Sequence, residues 1–311
     1  MPLTLVEAAK NALNEGAVLR SSIIEMYAES SDILQALPFE TINGNAMRYN
    51  REETLPGVGF RGVNEAYTES TGVINPITEP LVIAGGEIDV DKFIVSTMGP
   101  GRRTAEEKMK VKALAQRWTK AFIKGDSTSD AREFDGLQVR LTGTQKISAG
   151  STSGGTALSL AKLDEAIDAV DNPTHLIMNR TMRRRLSAAA RLTTVGGYIT
   201  YDLDAFGRRV TRYNDLPILT VDQDNTGAEI MQFNETASAG GATATSIYVV
   251  SFGNGTLEGI QGTGGIMVDD LGELESKPAY RTRVEWYSGL CVFAARAAAR
   301  LWSIGDLAVG A

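Results

Sequence analysis

Residues Thr41 to Pro80 read TINGNAMRYNREETLPGVGFRGVNEAYTESTGVINPITEP, and this stretch decides how the rest of the chain is read. Turn formers recur along it: Asn43-Gly44, Pro56-Gly57, Gly59, Gly62, Gly72, Asn75-Pro76 and Pro80. Short alternating runs lie between them, such as Ala46-Met47-Arg48-Tyr49 and Gly59-Phe60-Arg61-Gly62-Val63. The pattern predicts a long, twisted two-stranded hairpin with too few large apolar groups to bury its own surface. An isolated hairpin is barely stable in water, and structureless loops longer than about 15 residues are uncommon unless functional. The segment is therefore expected to pack on another molecule.

Upstream, Thr4-Leu5-Val6-Glu7 is a capping box. It predicts a short helix with Val6, Ala9 and Leu13 on one face, ending near Gly16. A second helical pattern places Leu19, Ser22, Ile23, Met26 and Tyr27 in register, Ser30-Ser31-Asp32 caps a last turn, and Pro38 stops it. Helices shorter than roughly 12 residues are marginal alone, so this arm needs something to lie on.

Downstream, Leu81 to Thr97 reads as a strand region closed by Pro100-Gly101. A second capping box, Thr104-Ala-Glu-Glu107, opens a helix that runs to Lys124, with Gly125 in the position after its end. At 1.5 Å per residue the helix is about 30 Å long. Val111, Leu114, Ala115, Trp118 and Phe122 form its apolar stripe. The remainder is basic: Arg102, Arg103, Lys108, Lys110, Lys112, Arg117, Lys120 and Lys124 stand against Glu106 and Glu107 alone. Residues 1–91 carry fourteen acidic groups and five basic ones. The basic face is either solvated or meets an anion, which is nucleic acid or the acidic arm and loop of a neighbour.

A Gly/Ser/Thr-rich stretch, Ser148 to Thr156, marks a boundary. A helix with Leu160, Leu163, Ile167 and Val170 follows, then a buried strand at His175 to Met178 and a basic helix capped by Asn179. Leu216 to Val221, Ile230 to Phe233 and Ile247 to Phe252 are further expected strands, and residues 151–265 together read as an α/β module. The tail returns to strand character at Arg281 to Tyr287, and the Ala-rich run Phe293 to Leu301 fits strand or helix.

Composition bounds the chemistry. The 311 residues carry a net charge of −7, with 43% apolar and 22% charged side chains, so the chain is globular. The acidic balance argues against a dedicated high-affinity nucleic-acid binder but not against a chain that encloses nucleic acid. One cysteine, Cys291, and one histidine, His175, leave no intrachain disulfide and no zinc site built from Cys and His. Neither a secretory signal nor a membrane span is apparent, and a soluble, non-secreted protein is expected.

Nothing in the chain converges on a reaction. His175 adjoins three apolar residues and reads as a core or strand-end histidine, with a His175 hydrolase kept as the alternative of another class. Gly150 to Thr156 lacks the ending of a phosphate loop and reads as a flexible linker. Asp222 to Phe233 imitates a calcium loop but has Phe where the bidentate Glu belongs. The Arg180 to Arg191 cluster reads as a solvated helix face, with nucleic acid or a neighbouring subunit as the other reading.

The order of parts, an acidic helical arm, a long hairpin, a long helix, an inserted α/β module and returning strands, resembles the major capsid protein of tailed bacteriophages over nearly the whole chain. RYNREETLPGVGFRGVNE (48–65) with ESTG (69–72) is similar to the extended loop of a capsid subfamily. RVEWYSGL (283–290) with RAAARL (296–301) is similar to that subfamily's C-terminal end.

The resemblance implies an α+β tailed-phage capsid fold. It comprises an N-terminal arm (1–40), an extended loop (41–80), a peripheral domain (81–150 and 266–311, with a spine helix at 102–124) and an axial domain (151–265). Arm and loop would reach neighbours, and Arg48, Arg51, Glu52, Arg61, Glu65 and Glu69 become contact candidates. Lys112, Lys120 and Lys124 become DNA- or neighbour-facing candidates. The family's shells are icosahedral, built of pentamers and hexamers around double-stranded DNA held without sequence specificity. The implied location is the virion, with assembly in the host cytoplasm; no catalytic residue, cofactor, metal or membrane is expected.

Some members weld loops to neighbours through a lysine–asparagine bond, but no lysine occurs between Lys10 and Lys92, so this loop cannot donate one. Some carry a scaffolding region before the arm; here the arm starts the sequence, so scaffold or cement, like the portal, is expected as a separate protein. The nearest rival is an encapsulin-type nanocompartment shell. A tail or decoration protein is a third possibility.

Overall fold

The computed structural model describes residues 3–14, 25, 26, 30–99, 101–191, 199–203 and 209–310. The second helical pattern of the arm, Leu19 to Tyr27, lies largely outside the described residues. The chain begins with β1 (Leu3–Thr4), α1 (Leu5–Asn14), α2 (Asp32–Ala36) and β2 (Pro38–Ile42). The hairpin strands β3 (Ala46–Thr54) and β4 (Val73–Pro80) come next, and β4 runs on through Leu81 into β5 (Val82–Asp91). Then come α3 (Lys92–Met98), α4 (Gly101–Lys124), α5 (Leu137–Arg140), β6 (Lys146–Ser148), α6 (Leu160–Asp168), β7 (His175–Asn179) and α7 (Arg180–Ala189). Strands β8 (Ile199–Leu203), β9 (Arg209–Tyr213), β10 (Leu216–Val221), β11 (Ala244–Val250), β12 (Leu257–Glu273), β13 (Ala279–Val292) and β14 (Ala298–Gly305) complete the described chain.

Three sheets result. A five-stranded sheet has the order β1-β2-β12-β13-β5, and a seven-stranded sheet the order β6-β14-β11-β7-β10-β9-β8. The third is the hairpin alone, β3 with β4. Helix α4 lies across the first sheet and buries Val111, Ala115, Trp118 and Phe122, as its stripe predicts; Leu114 is half-buried. At the centre Trp118 meets Phe39, Trp286, Phe122 and Phe134 with ring centroids 5.5–5.8 Å apart. The indole N–H of Trp118 donates to Ser288 Oγ at 3.0 Å, so this polar atom is satisfied inside the core. Gly259 is needed beside it, because a Cβ there would collide with the Phe39 ring. The opposite face of β5 and β13 is a solvent face: Arg281 faces Asp89 and Arg283 faces Glu87 in register, and each pair is hydrogen-bonded.

The described parts of the arm pack on the body of their own chain. Among the described residues, Leu5, Ala9, Ala12, Ile33, Leu34 and Leu37 are buried in the same core as Trp118. The capping box forms, with Thr4 N donating to Glu7 Oε2 at 3.0 Å and Glu7 N to Thr4 Oγ1 at 3.3 Å. The buried face is Leu5, Ala9 and Ala12, however, while Leu13 is exposed. Ser31 spends its hydroxyl on Thr119, not on a cap, and Asp32 Oδ2 accepts from Thr220 N and Oγ1. The two described helices of the arm, α1 and α2, lie on their own chain.

Other local expectations are also corrected. Residues 92–98 are helical, not strand, because the Asp91 side chain accepts from Phe93 N at 2.7 Å and caps a new helix. Helix α4 starts at Gly101, ahead of Thr104, and Glu107 of the second box accepts instead from Thr282 Oγ1. Ile230 to Phe233 forms no strand, whereas the β8–β9 hairpin was not anticipated. Residues 148–156 are not a free linker: Gly154 N donates to Gly240 O, Thr156 N to Ser303 O, and a Cβ on Gly155 would lie 2.6 Å from Gly305 N. Strand β14, within the tail grouped with the peripheral domain, sits in the seven-stranded sheet between β6 and β11.

Candidate assembly surface

The hairpin is held at its base and free at its tip. Tyr49 OH donates to Val292 O at 3.0 Å, and its ring packs on Phe293 with centroids 4.5 Å apart. Met47 Sδ lies 4.0 Å from Cys291 Sγ. The Arg140 guanidinium grips the Glu79 carboxylate with both nitrogens, one at 2.8 Å, and both side chains are largely buried. Burial pushes the Cys291 thiol up to about 12, so it is an inert core residue.

Beyond this base every residue from 55 to 76 is exposed. Val58 is 96% and Val63 93% exposed, and Leu55, Phe60 and Tyr67 project beside them. The tip nonetheless has a definite shape. Gly57 N donates to Ser70 Oγ at 2.7 Å, Gly62 N donates to Glu65 Oε2 at 2.8 Å, and Asn64 has φ +66°. Arg61 donates to Glu65 O and lies over the Tyr67 ring. Contiguous apolar area of this kind left in water is characteristic of contact surfaces. A smaller exposed apolar group, Phe93, Ile94 and Met98, lies on α3.

The sequence-derived contact residues separate into groups. Arg48 is exposed on β3, and Arg51 lines an open groove of about 850 Å³ with Glu79 and Arg140. Glu52 holds a strand position opposite Ile74. Arg61 and Glu65 engage each other at the tip, and Glu69 is exposed there. The residues that fix the hairpin base, Tyr49, Glu79, Arg140 and Phe293, were not singled out from sequence. Their partners are distant in the chain, and no local pattern signals them.

The basic helix is partly neutralised within the chain. Arg103 pairs with Asp270 at 2.6 Å, Arg117 with Glu133, and Lys120 with Asp224 at 2.8 Å. Lys120 and Thr226 hold the Asp224 carboxyl well below the usual carboxylate range. Asp224 also accepts from Thr226 and Ala228, so the imitation of a calcium loop is a turn that caps itself. Lys124 is partly buried beside the Glu235–Arg300 ion pair, and that burial lowers its pKa. Lys112 is exposed and lines a groove of about 460 Å³ with Lys108 and Arg180. Of the three lysines expected to face outward, Lys120 is ion-paired, Lys124 is half-buried and Lys112 is exposed.

His175 lies at the end of β7 against the Phe252 ring, with Nδ1 2.9 Å from Thr174 Oγ1. Burial, with a lesser contribution from the Arg212 charge, lowers its pKa to about 4, so it is neutral at pH 7. No carboxylate is among its described contacts. Among the described residues no cluster of His, Cys, Asp or Glu could hold a metal, and no helix is long and apolar enough to cross a membrane.

A long helix across a β-sheet, a second larger sheet and a projecting hairpin form an arrangement that solved structures share. The SrpI encapsulin complex from Synechococcus elongatus PCC 7942 superposes with TM-score 0.64 at 16% identity, covering 90% of this chain and 89% of that one. The capsid of a native GTA particle gives 0.61 at 17% identity, covering 89% and 91%. Mycobacterium phage Bobi gives 0.59 at 13% identity, covering 90% and 91%. At such identities the likeness is one of fold. No curated protein sequence matches. Residues 14–159, a little under half of the chain, match the family model of major capsid protein GP7.

Proposed function

We propose that the chain is the structural subunit of a phage head, assembling with copies of itself into pentamers and hexamers of an icosahedral shell around double-stranded DNA. The observation that carries this reading is the projecting hairpin tip, where Leu55, Val58, Phe60 and Val63 are exposed and Tyr67 is covered only by Arg61 among the described residues. Burial of that tip on an adjacent subunit supplies the association energy, at roughly 25 cal/mol per Å² of apolar surface removed from water. In this reading residues 1–40 are the arm, 41–80 the extended loop, and 81–150 with 266–311 the peripheral domain around the spine helix. Residues 151–265 are the axial domain, with β14 joining its sheet. Arg48, Arg51, Glu52, Arg61, Glu65 and Glu69 serve contacts between subunits. Portal and scaffold or cement proteins are separate chains, and assembly takes place in the host cytoplasm before the protein resides in the virion.

Deleting residues 45–75 should leave a soluble subunit that forms no shells by electron microscopy; normal particles would remove the role given to the loop. The similarity to an encapsulin supports a second reading, a nanocompartment that houses protein cargo. Nuclease-protected DNA inside purified particles selects the phage head, and its absence together with a co-purifying enzyme selects the nanocompartment.

A further inference from the structure

The two legs of the hairpin leave the five-stranded sheet from β2 and β5, which flank β12 and β13 in that sheet. The root of the hairpin therefore crosses the outer face of β12 and β13, opposite the face on which α4 lies. The contacts follow this path. Met47 Sδ rests on Cys291 Sγ, Tyr49 OH donates to Val292 O, and a Cβ on Gly289 would lie 3.0 Å from Pro80 O. Gly259 faces Phe39 and the core, so Glu258 before it faces the other way, beneath the root. Cys291 stands directly opposite Glu258 in the β12–β13 register, and directly opposed residues share a face.

Glu40 is brought to the same place. Strand β2 pairs with β12 in parallel, with Phe39 opposite Gly259 and Glu40 opposite Ile260, so Glu40 and Glu258 are diagonal neighbours on the outer face. Glu258 is buried with one carboxylate oxygen unpartnered, Glu40 is half-buried, and neither has an ion pair among the described residues. The other groups around them offer little compensation. The Cys291 thiol comes from β13 and the Tyr49 hydroxyl from β3, and the latter is spent on Val292 O. Glu79 on β4 and Arg140 on α5 also act on the thiol, but they are hydrogen-bonded to each other. The Gly255 N–H and the charge of the amino terminus favour an ionised Glu258, and burial with Glu40 opposes it.

We propose that this acid pair is a proton-operated catch for the hairpin: with Glu258 protonated the root lies closed over β12 and β13, and ionisation of Glu258 lifts it. Closure buries the carboxyl, and opening returns it to water. The closed form thus keeps its proton up to about 7, while the open form releases it at the ordinary 4.5. The ratio of open to closed forms then grows about tenfold per pH unit across that window, about 300-fold in all, and is level above it. The catch acts at the root, so it sets how freely the hairpin swings, independently of what its tip meets.

Cys291 is the chain's only cysteine and lies beneath the same root, so its labelling reports opening. The full-length chain is treated with a dipyridyl disulfide from about pH 4 to about pH 8, and each rate is divided by that of the urea-unfolded chain at the same pH, which removes the chemistry of the thiol itself. The ratio should rise about tenfold per pH unit from about 4.5 to about 7 and then level off. Glu258→Gln, which keeps the shape and cannot ionise, should hold the ratio at its low-pH level throughout. Glu40→Gln, which removes the like charge, should make the rise level off at a lower pH. In the wild type the ratio should be insensitive to urea below the unfolding transition, because a swinging root exposes little new surface. A ratio flat with pH in the wild type, or one that rises equally in Glu258→Gln, overturns the catch. Should the urea midpoint fall with pH while labelling stays flat, Glu258 ionises only on global unfolding and does not control the hairpin.

Discussion

Glu258 is a carboxyl whose charged state the fold opposes. It is 1% exposed on β12, one carboxylate oxygen has no hydrogen-bond partner, and Glu40 adds a like charge from β2. Burial first, and Glu40 second, raise its pKa to about 7 from an ordinary 4.5. Between those values the unfolded chain has released a proton that the folded chain keeps. Stability should therefore fall as pH rises from about 4.5 to about 7 and level off above, by an amount on the order of 2–3 kcal/mol. Urea melts across that range should show the slope in wild type and its loss in Glu258→Gln. Gly259, next in sequence, gives a second expectation. Gly259→Ala drives a methyl into Phe39 and should destabilise by about 1–3 kcal/mol, read as a lower urea midpoint at unchanged m-value. Some such single-residue roles were visible in sequence, because caps are local: Thr4 with Glu7, and Asn179 with Met182 N, form as their spacing demands. The roles of Glu258 and Gly259 were not visible, since both depend on what β2 brings alongside β12.

At the scale of the element, the hairpin shows what local pattern reveals and what it hides. Its turn residues and alternation sufficed to place two strands, and the long helix announced itself through one apolar stripe. Residues Phe93, Ile94 and Val95 look like strand by composition yet are helical, because the Asp91 cap outweighs a weak propensity. The anchoring of the hairpin base was hidden altogether, being made by side chains 61 positions apart in the Arg140–Glu79 pair. Arg140→Ala strands a largely buried carboxylate and should cost about 3–5 kcal/mol. The double change Arg140→Met with Glu79→Leu should cost much less. Denaturant melts of both, with limited proteolysis in the hairpin as a local readout, distinguish a structural anchor from an idle surface pair.

For the whole molecule, the division of charge legible in the sequence is real but largely internal. Arg103, Arg117 and Lys120 meet Asp270, Glu133 and Asp224 of their own chain, so reversing Lys120 would break the fold before it tested any partner. Lys108 and Lys112 are the clean probes. Lys108→Glu with Lys112→Glu should leave the melting temperature within a few degrees of wild type and lower the DNA retained by particles at physiological salt. Retention unchanged would take nucleic acid away from this groove. The expectation that a lone copy is incomplete narrows in the same way. The described arm is buried in its own core, and the unfinished surface is the hairpin tip. The aromatic cluster beneath α4 also has a practical consequence. Two of the chain's three tryptophans, Trp118 and Trp286, stand in that one cluster, and Trp302 lies in the other sheet beneath the Lys146 ammonium. Ultraviolet emission is thus a built-in gauge of how helix and sheet sit together, to which the hairpin, lacking indole, contributes no light of its own.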